Sequence, residues 1–229
     1  LIRAIEAPME PIKAIVRVAG PASFSNAINP IGLSVLTALI ALEGQDAVAA
    51  FGAAGRLQSF ATVPLLALSG SIGAIVGQNW GARQADRSRR AMWWSGLFCI
   101  GYGLAIALVL YFTGDWFADI FTDDPAVIEE FSRYLKISVW GYAGFGLLIV
   151  ANGALNAVDK AGYALAQSAA RVFLVMLPFG WILRAQWGSS AIYAAELVAN
   201  LAGGALAAVI VWRVLRDGPQ DRASIQTNT

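Results

Sequence analysis

The sequence predicts an all-α, polytopic membrane protein: six transmembrane helices in one bundle. Three observations predict it. Of 229 residues, 58% are hydrophobic and only 14% are charged, against about 45–50% and about 25% in a soluble domain. The apolar residues gather into six runs, each long enough for the roughly 20 helical residues that cross a bilayer. The loops between the runs alternate between basic and acidic. A soluble bundle of this size has too little interior for so much apolar surface. Its helices would also need polar outer faces.

The composition excludes as much as it implies. There is no histidine and one cysteine, Cys99. His-ligated metals, His-based triads and disulfide frameworks are therefore ruled out. No run offers a nucleophile–base pair, so neither a catalytic residue nor a metal site is expected, and the protein reads as a non-enzyme. The net charge of +1 gives no sign of a nucleic-acid partner. The partner that composition names is the lipid bilayer. The chain opens at Leu1 without a signal-peptide pattern and reads as a fragment or a processed chain.

The spans run Val18–Leu42, Ala47–Val76, Ala91–Phe112, Phe131–Val158, Gly162–Leu183 and Ala191–Val214. They divide the chain into a lead-in (1–17), a six-helix lobe (18–216) and a polar, disordered tail (217–229). The second span is too long to stand upright, and Pro64 is the place for a bend. Arg3, Lys13 and Arg17 precede span one, and Arg83, Arg87, Arg89 and Arg90 follow span two. Lys160 follows span four, and Arg213, Arg216 and Arg222 follow span six. The opposite loops carry Glu43 and Asp46, then Asp115, Asp119, Asp123, Asp124, Glu129 and Glu130, then one Arg184, with Arg133 and Lys136 as exceptions near the outer mouth of span four. The positive-inside rule puts the basic side and both termini in the cytoplasm. The segment Thr113–Glu130 reads as the one long connection, with a short amphipathic piece at the interface. Asp124-Pro125 reads as a helix start.

Polar residues inside the spans are the candidate site. Ser23, Asn26, Pro30, Ser34 and Thr37 follow one another at steps of 3, 4, 4 and 3, on one face of span one. Asn29-Pro30 predicts a bend there. That face is either a packing seam or the lining of a cavity. Asn152 and Asn156 share a face of span four, Gln167 and Arg171 one of span five, and Glu196 and Asn200 one of span six. Glu196 is the single acid well inside a span. It is either a functional acid or the neutralising partner of Arg56 in span two, which lies within about 6 Å of its depth. Asn26, Asn152 and Arg171 are expected at one depth, with Asn26 and Asn152 on a shared cavity.

Two segments carry a family resemblance. Residues 47–57 (AVAAFGAAGRL) and 77–83 (GQNWGAR), with Val63-Pro64 between them, resemble the eighth helix of multidrug and toxic compound extrusion (MATE) transporters. Gly20-Pro21 is similar to the start of that family's seventh helix. The resemblance spans the chain as the C-terminal lobe, helices seven to twelve, of a twelve-helix transporter. In the second segment Gln78 and Asn79 suit capping of free carbonyls, while Gly77 and Gly81 suit a sharp turn, all structural roles. The resemblance implies a rocker-switch antiporter in a bacterial inner (cell) membrane. It would export amphipathic, often cationic compounds against H+ or Na+, with no further cofactor. Its partner would be a missing N-terminal six-helix lobe. Asn26, Asn29, Ser34, Asn152, Asn156, Gln167, Arg171 and Asn200 would line the cleft. Sodium-coupled members carry acids in helices seven and ten, where this chain has Asn26, Asn29, Asn152 and Asn156. Alternatives are a lipid-linked oligosaccharide flippase of the same superfamily, or a degenerate half that transports nothing. A flippase needs a basic cavity, and only Arg56 and Arg171 are intramembrane cations.

Overall fold

The computed structural model describes residues 9–218. The lead-in up to residue 8 and the tail from residue 219 lie outside the described residues. Eight α-helices follow one another: α1 (Met9–Ile40), α2 (Gln45–Gly81), α3 (Ala85–Phe121), α4 (Pro125–Ser138), α5 (Tyr142–Ala157), α6 (Ala161–Ala169), α7 (Leu177–Trp187) and α8 (Ser189–Asp217). A 3-10 turn, Val139–Gly141, joins α4 to α5, and a π-helical stretch, Ala170–Met176, joins α6 to α7. The described residues therefore hold six helical rods long and apolar enough to cross a membrane.

Helix is the only economical answer to this composition in lipid, because each backbone N–H and C=O must be bonded within its own segment. The rods outrun the apolar runs that predict them. α1 begins at Met9, so residues 9–17 of the lead-in are helical. α2 and α3 have 37 residues each, about 56 Å at the helical rise, against a hydrocarbon core of about 30 Å. The expected connection Thr113–Glu130 is absorbed into helices. α3 continues to Phe121, three residues intervene, and α4 starts at Pro125. The acids there lie at the ends of α3 and α4. Gly114 lies against Leu135, Phe121 meets Phe131 at 6.0 Å between ring centroids, and Ser132 bonds Asp115. The expected helix start holds. Asp124 accepts from the Ala126 N–H at 3.0 Å and Pro125 takes the first turn, where its missing N–H costs nothing.

The fourth rod is the centre. Its most apolar stretch is 67% buried, against 22% for those of the second and third. It packs against α2, α3 and α8 through bare backbone. A Cβ at Gly103 would run into the backbone of Ala143, and one at Gly144 into the backbone of Asn200 and Leu201. Small residues let membrane helices approach this closely. Ser69 fastens the contact by donating to the Ile149 carbonyl at 2.8 Å.

Proline interrupts the rods without ending them. α1 runs through Pro21 and Pro30, and α2 through Pro64. One turn before Pro64 the Ala61 carbonyl accepts the Tyr102 hydroxyl at 2.9 Å. At the end of α2, Asn79 donates to the Ile75 carbonyl at 2.8 Å, one turn back inside the helix and not at its free end. No side-chain bond from Gln78 is found among the described residues, so the expected capping of free carbonyls does not occur. Gly77 packs on Ala157. The sharp turn belongs to neither glycine. Arg83 adopts the left-handed conformation, φ 58°, and Asp159 does the same between α5 and α6.

At the acidic end, ion pairs tie the helices together. Arg184 of α7 donates to Glu43 at 2.6 Å, and Arg133 of α4 bridges Glu129 and Glu130. Large apolar side chains cover the outside: Phe60, Phe112 and Leu174 are more than 70% exposed. In water that would be an aggregation surface; in lipid it is the solvent-facing side.

Candidate functional site

Glu196 sits inside the bundle on α8, 3% exposed. Its carboxylate accepts from Gln58 Nε2 at 2.7 Å and from the Tyr134 hydroxyl at 2.9 Å. Tyr134 is wedged edge-on between Phe51 and Tyr193, at centroid distances of 5.7 and 5.2 Å. Tyr193 in turn donates to Glu130 at 2.9 Å. The expected pairing of Glu196 with Arg56 does not occur. Arg56 is exposed on α2 and makes no hydrogen bond or ion pair among the described residues. The depth was right and the face was wrong. Residues 56 and 58 stand about 200° apart around a helix, and Gln58 continues the buried stripe Ala47, Phe51, Ala54, Thr62, Leu65. That stripe was the signal for Gln58. Tyr134 sat on a similar one, with Val127, Phe131 and Ser138.

A second cluster lies toward the basic end. Arg171, 5% exposed, projects from the π-helical stretch. One guanidinium nitrogen donates to Asn29 Oδ1 at 2.7 Å, another to Asn200 Oδ1, and the group lies 5.2 Å from the Phe145 ring centroid. Gly203 makes room for its stem: a Cβ there would come within 2.8 Å of Arg171 Cγ. Gln167 donates to Asn152 at 2.6 Å, and Asn152 donates to Ser168 at 3.1 Å. Ser168 bonds Ser25 at 3.0 Å. Arg171 and its amide partners thus join α1, the π-helical stretch and α8, while Asn152 ties α5 to α6 and, through Ser168, to α1.

The structure sorts the other expected cleft residues. Asn29 and Ser25, not Asn26, carry α1 into the buried cluster. Asn26 is exposed, as are Ser23, Pro30, Ser34 and Thr37. Ser34 and Thr37 turn their hydroxyls back onto the Pro30 and Leu33 carbonyls. Asn156 is joined to neither cluster; its Oδ1 is buried without a partner, as are Gln167 Oε1, Arg171 Nε and Asn200 Nδ2. No group of three or more His, Cys, Asp or Glu that could hold a metal occurs among the described residues.

The second cluster sits where the helix is not α, while Glu196, Gln58 and Tyr134 lie in regular α-helix. The 3-10 turn lies against Asn200 and next to Ser138, which donates to the Tyr193 carbonyl at 3.1 Å. The π-helical stretch carries Arg171. Such single-turn departures collect at functional sites. Polar groups and irregular backbone at membrane depth are tolerated only inside protein or beside water.

A bundle of six rods long and apolar enough to cross a membrane, packed around buried polar clusters, defines the class: a polytopic α-helical membrane protein. The chain belongs to the MatE family, whose model matches residues 21–182. It is 34% identical over 164 residues to the FAD transporter of Shewanella oneidensis, covering 72% of this chain and 36% of that one. It is 23% identical over 209 residues to the probable multidrug resistance protein NorM of Bacillus cereus, covering 89% and 45%. The Vibrio cholerae MATE transporter VcmN superposes with a TM-score of 0.86 at 29% identity, over 90% of this chain and 47% of that one. A Pyrococcus furiosus transporter of the MOP superfamily, at 17% identity and TM-score 0.85, shares the fold. The chain spans half or less of the length of these proteins.

Proposed function

We propose that this chain is one lobe of a rocker-switch antiporter that moves amphipathic compounds out of a bacterial cell, coupled to H+ or Na+. The observation that carries the reading is the polar face left open on α1 and α2. Ser23, Asn26, Ser34 and Thr37, with Arg56 and Ser59 on α2, are all exposed within membrane-spanning rods. An unpartnered arginine facing hydrocarbon costs about 2.5–3.5 kcal/mol at a helix centre. The face is therefore read as one wall of a water-filled cleft closed by a second six-helix lobe. Both termini of the lobe are read as cytoplasmic from the basic loops. Glu196 is the acid for proton coupling.

The charge of that wall favours a second reading of the substrate. Among the described residues exposed on α1 from Ala19 onward there is no carboxylate, and α2 presents Arg56 along its length and one carboxylate, Asp46, in its first turn. A neutral-to-basic wall attracts anionic amphiphiles rather than cations, and the Shewanella oneidensis relative named as an FAD transporter supports this. The flippase reading has weaker support, because the wall offers one cation. The test is efflux from cells or vesicles carrying the complete two-lobed protein, with ethidium and FAD as competing probes. Drug export predicts ethidium efflux insensitive to Arg56→Gln. Anion export predicts FAD efflux that Arg56→Gln abolishes. Movement of neither probe defeats both.

A further inference from the structure

On the outside of the bundle, α3, α5 and α8 enclose a groove of about 410 Å3. Its walls include Trp93, Leu97 and Ile100 of α3 and Ala208 and Trp212 of α8, and Val150 of α5 lies at its floor. No residue of α1 or α2, the helices with the open polar face, lines it. Trp93 is 72% and Trp212 56% exposed, so the groove opens outward.

We infer that this groove binds one phospholipid with an anionic headgroup, in the leaflet at the basic end of the bundle. Length is the first argument. From Arg89 at the mouth to Ile100 is 11 residues of α3, about 16 Å at the helical rise. A leaflet's share of the hydrocarbon is about 15 Å, so the groove is as deep as one acyl layer. Charge is the second. Arg89 lines the mouth, and Arg216 stacks on Trp212 at 5.1 Å. Arg90 and Arg213, next in sequence to Arg89 and Trp212, are exposed at the same end of the bundle. Against these four cations stand Asp86 and Asp217, each in a solvent-exposed pair, and such pairs hold their charges weakly. The mouth keeps a positive surplus at headgroup level while the groove below it is apolar. A protein helix would need no such division; an anionic lipid has both halves.

The test reads binding, not transport, so it stands or falls apart from the proposed activity. The chain is reconstituted into phosphatidylcholine vesicles containing either brominated-chain phosphatidylglycerol or brominated-chain phosphatidylcholine. Quenching assigned to Trp93 and Trp212 is taken as the part lost in the Trp93→Phe/Trp212→Phe variant. The anionic lipid is expected to quench them at a lower mole fraction. Arg89→Gln/Arg216→Gln should erase that preference, by about fivefold for each arginine. Ala208→Phe, at an exposed wall position, should remove the preference for the anionic lipid by filling the groove, leaving the quenching that annular lipid gives. Equal quenching by both lipids, or a preference that survives loss of both arginines, means an ordinary annular lipid and overturns the inference. Absence of quenching by either lipid means the groove is covered by protein and overturns it as well.

Discussion

Glu196 and Arg171 are buried charges one helical turn apart through Asn200 on α8, yet neither bonds the other. Each is solvated by neutral groups: Glu196 by an amide and a phenol, Arg171 by two amides and a ring. Each neutral donor therefore carries a measurable share. Tyr134→Phe leaves Glu196 one hydrogen bond short, which costs about 1–3 kcal/mol for a buried acceptor. The expected result is a lower unfolding temperature of the detergent-solubilised chain, with little change for Arg56→Gln. Arg56 and Glu196 share no partner, so their losses should add. A double substitution that regains stability over Glu196→Ala alone would restore the direct pair that the structure denies.

Among the elements, the fourth rod decides most. It is split by a 3-10 turn and packed on its neighbours through glycines, so its position depends on absent side chains rather than present ones. Gly144→Ala puts a Cβ into the backbone of α8, which cannot yield as a side chain could. Overpacking of this kind costs about 1–3 kcal/mol. Gly52→Ala is the control: nothing lies within 4 Å of its Cβ position, and alanine gains about 1 kcal/mol of helix propensity. Thermal unfolding of the two variants should move in opposite directions. Equal shifts would mean that α5 and α8 do not touch at Gly144.

For the whole molecule, the basic and acidic ends and the open polar face make separate predictions. In a Cys99→Ala background, a cysteine at Asp86 should react with a membrane-impermeant thiol reagent only from the cytoplasmic side. A cysteine at Asp123 should react only from outside, and the reverse pattern would invert the topology. A cysteine at Asn26 should react with a water-soluble reagent although it lies within a span, because it faces the cleft. A cysteine at Leu174, 74% exposed but facing lipid, should not. Equal inertness at both positions would make the α1 face a lipid surface and remove the main support for a second lobe.

Composition and period were enough to establish six spans, an all-helical fold and the basic and acidic ends, because lipid leaves a chain this apolar almost no other backbone solution. The paired segments around residues 47–57 and 77–83 were enough for the family. Spacing also singled out Asn152, Gln167, Arg171, Glu196 and Asn200, and the Asn29-Pro30 pair singled out Asn29; all but Glu196 were expected to line a cleft, and the structure instead ties them together inside the bundle. Spacing could not give their partners. Axial depth follows from counting residues, but the face a residue presents follows from how the rods are rotated against one another, and that depends on packing. Gln58 therefore took the place expected for Arg56, and Asn29 that expected for Asn26. The 3-10 and π departures in rods four and five were equally hidden. They lie beside contacts such as Gly141 on Asn200 and Arg171 on Gly203, which are far apart in the chain and meet only when the bundle closes.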